Sequence, residues 1–367
     1  MGARELLEKI ASAPRFAGSE SEATTRRLCA ELLTADGFSI REEPFTFSEF
    51  PGRYGPTVVG ILLIATVLLT SHVFTDHGGA GPAALMLFFG LAVTGGIGAW
   101  LTRRGTIDFP WLRSSSTNLI ATRGSPRLWL VAHSDSKSQT IPMLARIGAL
   151  VLMFGAAALL GVTLIVAWVS SIVNSQPIIV SRLVQVLAII ASAAAIPFVL
   201  CFTGNRSDGA VDNASGLVSV LLAVRELPTL TDIGVMVTSA EEFALAGARA
   251  HLESNGNPAI VINCDTIDDP GSFLCMGHGR NRGTASAAVG RAAARLGLPV
   301  SGRGTIPGIL ADGIAFAEAG WDAVTLSRGN LSTLARVHTS GDTRERLDGS
   351  GIALAARLLA ATIEELR

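Results

Sequence analysis

Charge is scarce in this 367-residue chain: Asp, Glu, Lys and Arg together make up 16%, against about 25% in typical globular domains. That shortage excludes an ordinary water-soluble protein. It is also local. Within residues 54–101 the only charged side chain is Asp76, and within 141–204 there are only Arg146 and Arg182. Elsewhere the balance is that of a normal globular domain. An excess of either sign is missing too. With 29 basic and 30 acidic residues the formal net charge is −1, which leaves no basic field for nucleic acid and no acidic tail. Cysteine is sparse. Cys29, Cys201, Cys264 and Cys275 show neither C-x-x-C spacing nor the density of a disulfide scaffold, and read as small buried hydrophobes. No signal-peptide pattern is expected, because residues 1–47 read as a charged helix followed by a strand-like stretch.

The two charge-poor blocks hold four apolar stretches, at 57–74, 80–101, 147–169 and 184–202. Each is close to the roughly 20 residues that a helix needs to cross a bilayer. Short loops at 72–81 and 170–177 join them in pairs, so each pair reads as a helical hairpin. A hairpin returns the chain to the side it left. The rest of the chain is therefore expected on one side, as one catalytic domain built from 1–53, 102–140 and 205–367, with hairpins at 54–101 and 141–204. The loops carry no Lys or Arg, whereas the opposite flanks carry Arg53, Arg103, Arg104, Lys137, Arg146 and Arg206. Arg182 stands near the outer end of the fourth span. This bias predicts a multi-pass protein of the plasma (inner) membrane with its polar domain in the cytoplasm. No carboxylate or lysine lies within a span, which argues against a transporter. Gly90, Gly95, Gly148 and Gly155 are expected to let helices approach closely.

The polar remainder alternates strand and helix. Helical periodicity runs from 5 to 36, strands are predicted at 118–122 and 128–132, and a helix at 213–227. A buried strand follows at 232–239, a helix at 244–254, a strand at 259–264 and a helix at 285–296. A short strand at 323–326 and a helix at 349–366 close the chain. Such alternation predicts an α/β domain with a mostly parallel central sheet and helices on both faces. Ligands of such sheets gather beyond the carboxyl ends of the strands.

The ionisable residues collect at those ends. One strand ends in His133-Ser134-Asp135, the next in Glu241-Glu242, and another in Asp265. Asp212 and Asn213 open a helix in the run GAVDNASG, and His338 lies in the loop RVHTSGDT. Carboxylate and imidazole are the donors that a hard-to-borderline divalent cation prefers. Singly each fragment has a bland explanation: a surface pair, a solvated face, a helix cap. Jointly they would crowd one rim with charge, and bound metal is the simplest way to neutralise it.

In this order the residues resemble the co-catalytic dizinc aminopeptidases, relatives of bacterial leucine aminopeptidase, glutamate carboxypeptidase and glutaminyl cyclase. The resemblance covers the polar portion and no part of the hairpins. It implies two Zn2+ per chain, with His133 and Asp265 on one ion, Glu242 and His338 on the other, and Asp212 bridging both. It implies that Asp135 orients the imidazole of His133 and that Glu241 is the general base. The implied reaction is hydrolysis of an amide bond in a peptide or amide substrate.

The chain departs from the family pattern at two places. Val337 stands where some members carry a tyrosine beside the last histidine, and Ala311-Asp312-Gly313 replaces Ser-Asp-His. Asp312 remains a candidate support for the site. Arg328 and Arg336 read as solvated surface or as anchors for a substrate carboxylate or phosphate, and His251, His278 and Cys275 as structural. The second hairpin separates His133 from Asp212, which suggests a site near the bilayer and a membrane-partitioned or lipid-linked substrate. A one-zinc cyclase-type acyltransferase and an inactive membrane scaffold are the competing readings. The oligomeric state is left open.

Overall fold

Pro14 and Gly18 break the helical stretch expected over 5–36 into two helices. Proline lacks the amide hydrogen that helix propagation uses, and Gly18 adopts φ +77°. The computed structural model describes residues 1–171, 178–254, 257–279, 283–306 and 308–367. In chain order it runs through α1 (Ala3–Ile10), α2 (Glu20–Ala35), β1 (Ser39–Ser48), α3 (Phe50–His72) and α4 (Ala80–Trp100). A short turn α5 (Thr106–Asp108) leads to β2 (Arg113–Arg123), β3 (Leu128–His133) and β4 (Ser138–Gln139). The long helices α6 (Met143–Ser171) and α7 (Ile178–Val199) precede β5 (Thr203–Gly204), α8 (Ser215–Arg225), β6 (Ile233–Thr238) and α9 (Ala246–Ser254). Then come β7 (Ile260–Ile267), β8 (Ser272–His278), α10 (Thr284–Leu296) and β9 (Val300–Gly304). The chain ends with α11 (Asp312–Glu318), β10 (Asp322–Gly329), α12 (Leu331–Arg336) and α13 (Ser350–Glu365).

Contacts divide these elements into two units. One comprises Met1–Glu49, Thr106–Pro142 and Thr203–Arg367, and the other Phe50–Gly105 and Met143–Phe202. The first unit is built on an eight-stranded sheet in the order β1-β2-β6-β3-β7-β10-β8-β9. The four central strands β6, β3, β7 and β10 are mutually parallel; β2 runs against both β1 and β6, and β8 runs against β10 but parallel to β9. Central parallel strands are covered on both faces and so need apolar side chains at every position. Accordingly β6 (IGVMVT) and β3 (LWLVAH) are buried throughout. Alternate residues face opposite ways. Trp129, Val131, Met236 and Val261 meet Leu245 of the segment before α9, Ala248 of α9, and Ala315 and Phe316 of α11. On the opposite face α8 packs against β3, β7 and α13. Phe316 is fully buried 5.2 Å from the Trp321 ring, and Phe316→Ala would cost about 3–5 kcal/mol. The strands β8 and β9 escape the sequence pattern, because β9 is short and glycine-bearing and β8 alternates only loosely.

The second unit is four apolar helices, α3 paired with α4 and α6 with α7. By length and composition each is able to cross a membrane. Its interior is small and aliphatic, with Val67, Ala83, Leu87, Leu160, Leu164 and Ala191 buried. Outward it presents Leu85, Phe88, Phe89 and Val151 at 68–76% exposure. An apolar exterior over an apolar interior is what lipid, not water, rewards. Of the four glycines expected to permit close helix approach, Gly90 does so, facing Thr66. At Gly95, Gly148 and Gly155 an added Cβ would meet nothing within 4 Å, so these three are not contact glycines. Gly60 against Val199 and Gly81 against Trp168 take that role instead. The loop expected at 170–177 lies, for 172–177, outside the described residues.

Candidate metal centre

The carboxyl ends of β3, β6 and β7 are adjacent because these strands are neighbours in parallel register, with His133 opposite Thr238. His133 is the last residue of β3, Glu241 and Glu242 follow β6, and Asp265 stands near the end of β7. Asp212 comes from the turn before α8, and His338 follows α12. All seven residues singled out from the sequence (His133, Asp135, Asp212, Glu241, Glu242, Asp265 and His338) are buried and converge here.

They form two clusters. His133, Glu241 and Asp265 each offer one ligand atom within 4.8 Å of the others, and so do Asp212, Glu242 and His338. His133 Nε2 lies 3.2 Å from Asp212 Oδ1, 3.7 Å from Asp265 Oδ1 and 4.0 Å from Glu241 Oε2. His338 Nε2 lies 3.0 Å from Asp212 Oδ2 and 3.1 Å from Glu242 Oε2. A single carboxylate therefore faces both imidazoles, one oxygen to each. The Nε2 of His133 and the Oε1 of Glu242 are buried without a hydrogen-bond partner. Buried polar atoms are left so only for a reason. The donor set and these orphaned atoms fit divalent metal ions.

Local structure fixes each ligand. Asp212 and Asn213 divide their work: Asn213 Oδ1 accepts from the amides of Gly216 and Thr266, and its Nδ2 donates to Cys264 O at 2.9 Å. Asn213 thus caps α8 and ties it to β7, leaving the Asp212 carboxylate for the site. Asp342 accepts from the amides of Val211 and Asp212 at 2.7 and 3.1 Å, clamping that turn to the His338 loop. Gly209 (φ +57°) lies so close to Ser136 and to Asp212 O that a Cβ would meet both at 2.4–2.5 Å. Ala240, Thr266 and His338 hold φ of 53°, 62° and 62° without being glycine. Left-handed backbone at non-glycine residues costs of order 1 kcal/mol or more each, and it clusters where function demands geometry.

The imidazoles are held from behind. His133 Nδ1 is 3.0 Å from the main-chain oxygen of Asp135 and 3.5 Å from its carboxylate. The Asp135 carboxylate accepts instead from the amides of Glu241 and Glu242 at 3.1 and 3.2 Å. It orders the Glu-Glu turn, while its carbonyl makes the closer contact with the imidazole. His338 Nδ1 meets Gln139 Oε1 at 2.9 Å. Asp312 accepts a hydrogen bond from Thr238 at the end of β6.

Sequence reasoning missed several supports. Arg15, 1% exposed, donates to the carbonyls of Ser134, Gly209 and Asp208, joining the His133 and Asp212 loops. Glu22, also buried, accepts from Ser134 Oγ at 2.9 Å and from Ser116 Oγ at 3.1 Å. Lys137 Nζ sits 2.8 Å from Glu242 Oε2. None belongs to a ligand motif, and each acts through partners distant in the chain. Arg336 pairs with Asp268, and Arg328 donates to the carbonyls of Asp268 and Asp269, so both are tethers rather than solvated surface.

The electrostatics follow from packing carboxylates together. Burial pushes Glu241 well above the usual carboxylate range, and Glu242, Asp265 and Asp312 add to the rise against His133. Burial likewise works to raise Glu242, but His338 and Lys137 outweigh it and bring it down to about 2. Burial acts to lower His133, yet Glu241 and the surrounding carboxylates push it well above an ordinary imidazole.

Residues 195–363 match the family model described as Peptidase family M28. Among solved structures the chain is similar to an aminopeptidase from Aneurinibacillus sp. strain AM-1, at TM-score 0.58 and 13% identity over 98% of this chain and 92% of that one. It is similar to BSAP, a zinc aminopeptidase from Bacillus subtilis, at TM-score 0.58 and 14% identity over 99% and 94%. A glutaminyl cyclase from Fimbriiglobus ruber gives TM-score 0.56 and 13% identity over 100% and 94%. No curated protein matches the sequence. The fold is that of these zinc aminopeptidases and cyclases, and the family match supports a zinc-dependent hydrolase. Both point to the group that the ligand series resembles.

Proposed function

We propose that the chain is a membrane-anchored dizinc hydrolase of amide bonds, acting most simply at a free N-terminus. The observation that carries this reading is Asp212, whose two oxygens face the two imidazoles at 3.2 and 3.0 Å. His133 and Asp265 would hold one ion, Glu242 and His338 the other, with Asp212 common to both. When bound, such a pair supplies Lewis-acid polarisation of a scissile carbonyl and lowers the pKa of an attacking water.

The remaining roles belong to the chain itself. Glu241, pushed upward by burial, would take a proton from the attacking water at its carboxylate and deliver it to the departing amine. Asp135 holds the main chain of Glu241 and Glu242 so that both carboxylates point inward. Val337, the residue before His338, has no hydroxyl to polarise the substrate carbonyl, so that work falls to other groups.

The same proposal assigns 1–53, 102–140 and 205–367 to the catalytic domain and 54–101 and 141–204 to its membrane hairpins. The distribution of Lys and Arg supports a cytoplasmic catalytic domain. Protease resistance of the C-terminus in inverted vesicles, with cleavage in intact spheroplasts, would reverse that orientation. The chain passes from His133 to the first residue of α6, Met143, within ten residues. This connectivity supports a substrate that partitions into the membrane. Turnover of micellar amphiphilic amides no faster than of short soluble aminoacyl amides counts against it.

The deciding experiment measures zinc content and aminoacyl-amide hydrolysis on detergent-purified full chain, with Glu241→Gln as control. Two zinc ions per chain and loss of turnover in a zinc-loaded Glu241→Gln variant are expected. One ion per chain with cyclisation of an N-terminal glutamine would replace the hydrolase by an acyltransferase. Unchanged turnover in Glu241→Gln would remove catalysis at this site altogether.

A further inference from the structure

The two clusters share Asp212 but are not supported alike. A two-stranded ribbon, β4 against β5, pairs Ser138 with Gly204 and Gln139 with Thr203. Two residues on and beside this ribbon reach the second cluster. Gln139 Oε1 meets His338 Nδ1 at 2.9 Å, and the Gln139 amide donates to His338 O at 2.7 Å. Lys137, just before β4, places Nζ 2.8 Å from Glu242 Oε2 and 3.1 Å from Glu242 O.

These two neighbours act on a cation in opposite senses. An amide oxygen can only accept, so Gln139 keeps the His338 proton on Nδ1 and leaves the Nε2 lone pair facing Asp212 and Glu242. That favours a bound metal. Lys137 does the reverse. Its side chain is 12% exposed and Glu242's is 3% exposed, so solvent screens the ammonium poorly. An ion that takes Glu242 must displace Nζ or sit in its field. The first cluster has no such competitor: among the described residues, no lysine or arginine lies within 4.0 Å of Glu241 or Asp265, whose ion-pair partner is His133.

We propose that Lys137 is a resident counter-cation that makes the Asp212–Glu242–His338 cluster the weaker of the two metal positions, so that the chain loads its ions in sequence. The inference rests on the metal-centre reading above and adds an ordering to it. Lys137 is a positioning residue here, acting through Glu242. The strap that carries it joins the ends of the second apolar hairpin, α6 and α7.

The test is a zinc titration of metal-stripped, detergent-purified full chain against a chelating indicator, with bound zinc counted by mass spectrometry. The wild-type chain is expected to bind in two separated steps. Lys137→Met is expected to tighten the second step at least about tenfold and leave the first unchanged, and Gln139→Leu to weaken the second about 10–100-fold. An unchanged first step reports that the fold survives. Lys137→Gln, which keeps a donor to Glu242 without the charge, takes over the test if Lys137→Met disturbs that step. Two ions bound with equal affinity by the wild type would overturn the proposal. So would a second step that is unmoved or weakened in both neutral variants, since Lys137 would then merely orient Glu242. A wild-type chain that binds no zinc would remove the metal-centre reading itself, whereas two steps with an immovable second remove only the ordering.

Discussion

The two halves of the site reach the same burial by different routes. His133 and Asp265 are carried by parallel strands in the middle of the sheet: His133 is paired with Thr238 of β6, and Asp265 directly follows Cys264, which is paired with Leu326 of β10. His338 is carried by a loop, holds φ 62°, and depends on Gln139 and on the Asp342 clamp of the facing turn. The first half inherits its geometry from secondary structure. The second has to assemble it from side chains. A ligand on a strand end tolerates loss of its supports, whereas a ligand on a loop does not.

The largest break of this contrast comes from the residue common to both halves. Asp212→Ala is expected to abolish turnover and reduce bound zinc at both positions, read by metal analysis of the purified chain. Retention of both ions in that variant would contradict a bridging role. Next in size is Glu241→Gln, which removes a proton carrier and leaves the ligands in place. A loss of about 10²–10⁴ in kcat with zinc content unchanged is expected.

Arg15→Met probes how the halves are joined. The guanidinium donates to carbonyls on both the His133 and the Asp212 loops from a fully buried position. Removing it leaves several buried acceptors unpaired, at about 1–3 kcal/mol for each uncompensated group. A destabilisation of about 3 kcal/mol is expected, seen as a lower unfolding midpoint in detergent. A shift below about 0.5 kcal/mol would mean that water replaces the arginine and that the loops stand without it.

What was legible in the sequence follows the same division. The central strands announced themselves because β3 and β6 are apolar up to their last residues, His133 and Thr238, and the ligands at their ends could be found by position alone. The apolar helices were legible from the lack of charge in two blocks. The strands β8 and β9 at one end of the sheet were not, because Gly277, Gly302 and Gly304 dilute their pattern. Nor were Arg15, Glu22, Lys137 and Gln139, whose work at the site depends on partners 105 to 199 residues away. Pairings of that kind leave no local periodicity. Which glycines pack helices was equally hidden, since Gly90 and Gly155 look alike until a neighbour is placed.

A third buried imidazole sharpens the comparison. His278 on β8 lies between two hydroxyls, with Nδ1 2.9 Å from Thr305 Oγ1 and Nε2 2.8 Å from Thr325 Oγ1. The site histidines sit among carboxylates and are pushed above an ordinary imidazole. Among the described residues no carboxylate pairs with His278, and burial brings it down to about 4 from 6.5. The folded chain therefore binds this proton less readily than the unfolded chain. Stability from a neutral His278 is complete above about pH 6.5 and is lost as the pH falls toward 4. At pH 5 the loss is about 2 kcal/mol. His278→Gln keeps a side chain able to bond both hydroxyls and has no proton to gain. Its unfolding midpoint is expected to fall less between pH 7 and pH 5 than that of the unsubstituted chain. Parallel curves for the two proteins would mean that His278 charges freely in the folded state, and that depth in this sheet does not by itself depress an imidazole.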